Sequence, residues 1–365
     1  MPQLCGPLAA CILLVSALPS VGQNADITPA GGPTDASSYT TNPKWVAAMR
    51  EGKMLLREHK PEFAKDDFNK ANKIAGGACW ECLDGLYTAQ FGDGDYKGAI
   101  ETTEKMEAIP ASPVQKSIVE DKRGNAILAK AGDKPKPEQL EQAHEAYQQA
   151  LTNYPKNLTA LFSDGRTLAR MGKMDEAKTC FSQCVAMATP TDPARLRAQH
   201  FAEDPTLALK KQAPAFEVTA LDGTRFNLDA MGGRVVLIDF WATWCGPCNE
   251  ELPHVKKIAK DLAGEPLVIL SVSWDSDDAK WRQFIEKNEM TWMQYRDANR
   301  ALSTAFGVEA IPHYFVIDTD GGLTTELVGS GSDVEGRLKK LLAKARDAQK
   351  QRLETAATSA PSGGR

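Results

Sequence analysis

No run of apolar residues in this 365-residue chain is long enough to cross a bilayer. The longest, Leu8 to Leu18, falls short, and small, turn-prone residues follow it at Pro19 to Gly22. Positive charge is not in excess either. The formal net charge is -5, which leaves no footprint for nucleic acid and no basic patch for a membrane surface. What remains is a soluble composition at a length that suggests two domains.

The start of the chain reads as a secretory signal peptide over residues 1–23, with cleavage near Gly22 or Gln23. It departs from the pattern in having no Lys or Arg ahead of the apolar run. Leu8-Ala9-Ala10-Cys11 also resembles a lipoprotein cleavage box, but the apolar run follows Cys11 instead of preceding it. A lipid anchor at Cys11 is therefore the lesser expectation, beside a cytosolic chain with an apolar start. Export would remove Cys5 and Cys11 and leave Cys79/Cys82, Cys180/Cys184 and Cys245/Cys248. An even, locally paired set suits an oxidising compartment, periplasmic or secreted.

Residues 24–42 are rich in Pro, Gly, Ser, Thr and Asp and read as a flexible linker. From 43 to 188 the pattern is helical and repeats. Ala143, Tyr147 and Ala150 recur 34 positions on as Ala177, Phe181 and Cys184. Ala64, Phe68 and Ala71 carry the same spacing, and Gly52 and Gly165 each stand 12 residues before the first alanine of their triplet. This resembles the tetratricopeptide repeat, in which a glycine lets paired helices approach and alanines pack beneath an aromatic. Three to four repeats are expected: clear ones from near Trp45 and Leu158, one with an insertion at Lys134 to Pro137, and a degenerate one around Gly85. The resemblance implies a concave surface for a protein or peptide, with oligomerisation or a spacer role as alternatives. Cys79-Trp80-Glu81-Cys82 opens a helix after Gly76-Gly77, and its sulfurs form a disulfide, remain core thiols or make a second redox site. Cys180 and Cys184 read as small buried residues.

Residues 189–209 read as a connector, 210–348 as an α/β domain and 349–365 as a disordered tail. The α/β domain opens with a hairpin turning at Leu221-Asp222-Gly223. The run Val235 to Ile238 is a strand buried on both faces, Leu267 to Ser273 a second strand, and Ile311 to Asp318 a third that turns into Leu323 to Val328. Helices are expected over 278–288, 298–306 and 334–348. Strand alternating with helix, then a hairpin and a last helix, gives a mixed central sheet.

The first of these strands ends in Trp244-Cys245-Gly246-Pro247-Cys248 and runs into a helix. A helix N-terminus offers free N–H groups and a positive dipole end, which favour a thiolate. A zinc site would need a further ligand pair and another context. The motif, with Phe240-Trp241-Ala242 ahead of it, closely resembles the active site of thioredoxin. The hairpin, the helix after Ser273 and Ile311-Pro312 resemble the extracytoplasmic TlpA/ResA-type branch of that superfamily, over about residues 210–348. This chain keeps Gly-Pro between the cysteines and Asp239 six residues ahead of Cys245, positions at which that branch often varies.

The resemblance implies a thiol:disulfide oxidoreductase needing no cofactor or metal, with disulfide-bearing proteins and a thiol electron donor as its partners. Cys245 would attack and Cys248 resolve, with Asp239 as the base for Cys248, a cis-proline at Pro312, and Trp244, Ile311 and Pro312 facing substrate. Glu251 and His313 are lesser polar candidates. Two other readings stay open. One is a peroxide reductase of peroxiredoxin type, although its Thr-x-x-Cys spacing is absent, Thr243 lying two residues before Cys245. The other is a repeat-based scaffold with a minor redox role.

Overall fold

The computed structural model describes residues 39–190, 192 and 194–359, which divide into two compact units between Thr206 and Leu207. The stretch read as a signal peptide, Cys11 within it and most of the stretch read as a linker lie outside the described residues.

The first unit is all helix. Eight helices form four consecutive pairs: α1 (Pro43–Arg57) with α2 (Pro61–Ile74), α3 (Trp80–Gly92) with α4 (Tyr96–Glu107), α5 (Pro113–Ala131) with α6 (Pro137–Asn153), and α7 (Leu158–Arg170) with α8 (Met174–Met187). Their ends are written in the sequence. Asn42, Asp95, Ser112 and Asn157 each accept a backbone N–H of the following first turn. Proline stands in the first turn of α1, α2, α5 and α6, where no N–H is needed. The repeated triplets are buried: Ala64, Phe68 and Ala71, then Ala143, Tyr147 and Ala150, then Ala177, Phe181 and Cys184. Glycine makes room for the aromatic. A Cβ on Gly165 would stand 2.8 Å from the Phe181 ring, and one on Gly85 only 2.4 Å from that of Phe68. Gly85 therefore belongs to the repeat logic even though its own repeat lacks the triplet.

Three stretches depart from the expectation. Tyr39, inside the stretch read as linker, packs on Trp45 at 5.4 Å between ring centroids. The stretch read as a connector contains α9 (Ala194–Glu203). Its Phe201 is fully buried, stacked on Phe162 at 5.6 Å and edge-on to Phe181 at 5.2 Å. The prolines at 190 and 193 precede this helix and do not interrupt it, and only Ala198 and Phe201 mark its apolar face, too short a stripe to see. The last helix, α13 (Val334–Ser359), runs past the expected end at 348 because no Gly or Pro stands before Pro361 to stop it.

The second unit is the expected α/β domain. A hairpin of β1 (Glu217–Thr219) and β2 (Arg225–Asn227) stands apart from a five-stranded sheet. That sheet has β3 (Val235–Trp241) at its centre, parallel to β4 (Leu267–Ser273) and antiparallel to β6 (His313–Ile317). β5 (Met293–Arg296) and β7 (Leu323–Val328) form its edges. All seven residues of β3 are buried, as a strand flanked on both sides and covered on both faces requires. Val235, Leu237, Ile269, Tyr314 and Val316 face α10 (Gly246–Asp261) and α13. Val236, Ile238, Phe240, Leu270 and Phe315 pack on the opposite face with Leu302 of α12 (Ala301–Ala305). Between β4 and β5 lies α11 (Asp278–Lys287), which buries Trp281 and Ile285. The short edge strand β5 was not expected, since Met293-Gln294-Tyr295-Arg296 carries no apolar run.

Candidate active site

The strand β3, a four-residue turn and the start of α10 deliver the two cysteines. Cys245 is the N-cap of α10 in extended conformation, and its Sγ accepts the backbone N–H of Cys248 at 3.2 Å. A sulfur thus occupies the place where a serine or aspartate oxygen would satisfy an orphan donor. Pro247 stands in the first turn of the helix. Cys245 and Cys248 are joined as a disulfide. Both are only 6 % exposed, so exposure does not separate them in the oxidised form; their positions do. Cys245 lies at the helix end, 3.8 Å from the Ile311 carbonyl oxygen, and Trp244 beside it is 62 % exposed. The Ile311–Pro312 peptide is cis. Ile311 thus stands beside the Cys245 sulfur, and Trp244, next to Cys245 in the chain, faces solvent.

Asp239 is buried on β3, and the strand's alternation sets it with Leu237 on the face that α10 covers. Its carboxyl is pushed up to about 7, first by burial, with the negative charge of Glu251 adding to the rise and a hydrogen bond from Ser271 opposing it. The Ser271 hydroxyl donates to Asp239 Oδ2 at 2.9 Å. Glu251 itself ties α10 to the loop after β7, accepting the Gly331 N–H at 2.6 Å. His313 follows the cis-proline, stacks on Phe315 and pairs with Glu326 at 3.1 Å through Nε2. Burial lowers its proton affinity. Glu251 and His313 are thus both engaged in structural bonds of their own.

One residue of the site escaped the sequence reading. Asp275 is buried after the end of β4 and accepts the Thr243 N–H at 2.9 Å, the Thr243 hydroxyl and the Ser273 hydroxyl. It clamps the turn that carries Trp244 and Cys245. Only its place, an acid two residues past a buried strand, marked it. Thr243 is occupied by this clamp.

Comparison with known proteins agrees with the geometry. Residues 208–341 match the Redoxin family model. The thiol-disulfide oxidoreductase ResA of Bacillus anthracis is 29 % identical over 143 residues, covering 39 % of this chain and 83 % of that protein. The C-terminal domain is a Redoxin domain, similar over most of its length to the thiol-disulfide oxidoreductases named ResA, and on that likeness a thioredoxin-like thiol:disulfide oxidoreductase domain. The thioredoxin-like protein YneN of Bacillus subtilis is 29 % identical over 123 residues, covering 33 % of this chain and 71 % of that one. The solution structure of a putative thioredoxin from Neisseria meningitidis aligns with 38 % of this chain and 91 % of that one, at 28 % identity and a TM-score of 0.34.

The oxidoreductase domain is preceded by a second disulfide of the same local build. Cys79 is the N-cap of α3, its Sγ accepts the Cys82 N–H at 3.2 Å, and the two are bonded. Here both sulfurs are fully buried, and the Trp45 indole donates to Cys82 Sγ at 3.3 Å. Among the described residues a helix, not a strand, precedes this motif, and the carboxylate beside it is that of Glu81, 3.9 Å from Cys79 Sγ. Cys180 and Cys184 are free thiols, buried at repeat packing positions. Burial pushes Cys180 up to about 12 and Cys184 further in the same direction.

Proposed function

We propose that Cys245 and Cys248 are the redox couple of an exported enzyme that reduces or exchanges disulfides in partner proteins, and that the helical repeats bind those partners. The observation that carries the reading is the Cys245 sulfur capping α10, with Asp239 buried on the sheet face that this helix covers. Reduced, Cys245 is the attacking thiolate, because the helix end and the Cys248 N–H favour its ionised form. It attacks a partner disulfide, and Cys248 then attacks Cys245 and releases the reduced partner. Cys248 starts as a thiol and needs a base. A buried carboxyl poised near 7 suits that task at neutral pH. The exposed Trp244, Ile311 and the cis Pro312 are the surface on which the partner's segment rests. Export fits the two disulfides, which persist where conditions oxidise. The tetratricopeptide resemblance and four helix pairs support protein binding by the repeats.

The test is capture. Cys248→Ser leaves Cys245 able to attack but not to be resolved, so partners stay attached and are identified by mass spectrometry. Removal of residues 43–188 thins out the trapped set while insulin reduction persists. Equal sets and amounts from both forms overturn partner selection by the repeats. Failure of Cys248→Ser to trap anything, in either form, overturns the couple.

A further inference from the structure

Asp239 has a neighbour on each side in the sheet: Ser271 is its register partner on β4 and Tyr314 on β6. Ser271 is fully buried, and its hydroxyl stands between two groups. The Trp292 indole Nε1 donates to Ser271 Oγ at 2.8 Å, and Ser271 Oγ donates to Asp239 Oδ2 at 2.9 Å. The direction of this chain is fixed by valence. An indole N–H can only donate, so Ser271 accepts there. Among the described residues its hydroxyl proton has no acceptor other than Asp239 Oδ2. Oδ2 is therefore an acceptor whether or not Asp239 is protonated, and because the carbonyl oxygen of a neutral acid is the better acceptor, a carboxyl proton is favoured on Oδ1. Oδ1 accepts no hydrogen bond among the described residues.

We propose that Ser271, oriented by Trp292, is a positioning residue for the resolving half-reaction: it pins Oδ2 and leaves Oδ1 as the oxygen that trades a proton with Cys248. This rests on the reading of Asp239 as the base of that step. In the step, the Cys248 thiol gives its proton to Oδ1 and its sulfur attacks Cys245 Sγ. The Cys245–Cys248 bond forms as the bond from Cys245 to the partner's sulfur breaks. The partner leaves as a thiolate that takes up a proton. Over the full cycle the dithiol loses two electrons and the partner's disulfide gains them.

Ser271 also sets how readily Asp239 ionises. The groups that face Asp239 are Ser271 from β4, Tyr314 from β6 and Glu251 from α10. Glu251 favours the neutral acid, as burial does, and among the described residues only Ser271 donates to the anion. Trp292 reaches the chain from the edge of the core, packed against both the cysteine cluster and the sheet face under α10. It is half-buried and lines a surface cleft with Leu262, Leu267 and Ile269, so the indole can be altered without opening the sheet.

The experiment uses the full chain with Ser271→Ala, Ser271→Thr, Trp292→Phe and Asp239→Asn. Asp239 is titrated in the oxidised protein by carbon NMR of its carboxyl. The mixed-disulfide resolution rate is measured against pH by stopped flow with a small aromatic disulfide. Ser271→Ala moves the Asp239 midpoint up by about one pH unit, a tenfold gain in proton affinity. The midpoint of the resolving step moves up with it, while the pH profile of the first attack stays. Trp292→Phe moves both midpoints the same way by less, and Ser271→Thr returns them to the parent's. Trp292→Phe carries the test alone if Ser271→Ala does not fold. An Asp239 midpoint unmoved in every folded variant overturns the positioning role. A resolving step unchanged in Asp239→Asn overturns the base instead, and the carboxyl titration tells the two failures apart.

Discussion

Asp239→Asn should stabilise the oxidised protein, and the gain should grow with pH in a calculable way. Folding lifts this carboxyl from its ordinary 3.8 to about 7. The folded chain therefore holds the proton more tightly than the unfolded chain. Below about pH 4 both states are protonated and the substitution changes little. Between about pH 4 and 7 the unfolded chain has lost the proton while the folded chain keeps it, and stability falls as pH rises. Above pH 7 the fold carries a buried carboxylate. A rise of about three pH units, at about 1.36 kcal/mol each, amounts to about 4 kcal/mol. Asparagine keeps an oxygen for the Ser271 hydroxyl and never ionises, so it escapes this loss. With a urea dependence of about 2 kcal/mol per molar, the unfolding midpoint at pH 8 should rise by roughly 2 M relative to the parent, with little change at pH 4. Tryptophan fluorescence is the natural probe, since Trp241, Trp244, Trp274, Trp281 and Trp292 all lie in the α/β unit. A difference between parent and variant that is the same at pH 4 and pH 8 would refute the assignment of a raised carboxyl.

Three further outcomes follow from the packing. Asp275→Ala strands the Thr243 N–H and the Thr243 and Ser273 hydroxyls, so it should cost on the order of 3 kcal/mol by urea unfolding and slow insulin reduction by loosening the Cys245 turn. Gly165→Ala sets a methyl 2.8 Å from the Phe181 ring, so overpacking of about 1–3 kcal/mol exceeds the helix-propensity gain of about 1 kcal/mol, read as a lower melting midpoint by circular dichroism at 222 nm. Cys180 and Cys184 should stay unlabelled by N-ethylmaleimide in the native protein at pH 7 and label fully in urea, as peptide mapping will read.

The sequence was legible where a residue type has one good explanation. An aspartate inside Leu237-Ile238-Asp239-Phe240 has no cheap reason to be buried, and it is buried with a raised proton affinity. Buried runs such as Val235 to Ile238 announce central strands. The 34-residue recurrence announced the helix pairs because the glycine and the aromatic meet in space. Legibility failed where a role depends on a partner distant in the chain. Ser271 and Trp292 are ordinary residues until the register of β3 on β4 sets Ser271 beside Asp239. Asp275 is one acid among many until the turn at Thr243 folds onto it. β5 and α9 are short, with too few apolar positions for a period to show, and each is held in place by its neighbour: β5 by β4, α9 by Phe162 and Phe181.

A sulfur that caps a helix gives each redox state a spectroscopic signature. The Cys248 N–H points at Cys245 Sγ, an atom that in the proposed cycle is in turn thiolate, mixed disulfide and intramolecular disulfide. Its chemical shift and its exchange with deuterium must change with the charge on that sulfur, and two-dimensional NMR can follow both without any label on the thiol. The Cys82 N–H, directed at Cys79 Sγ in a sealed interior, is a built-in reference in the same spectrum. A titration with reductant would show whether the two signals move together or in sequence, and so rank the two couples by potential within one molecule.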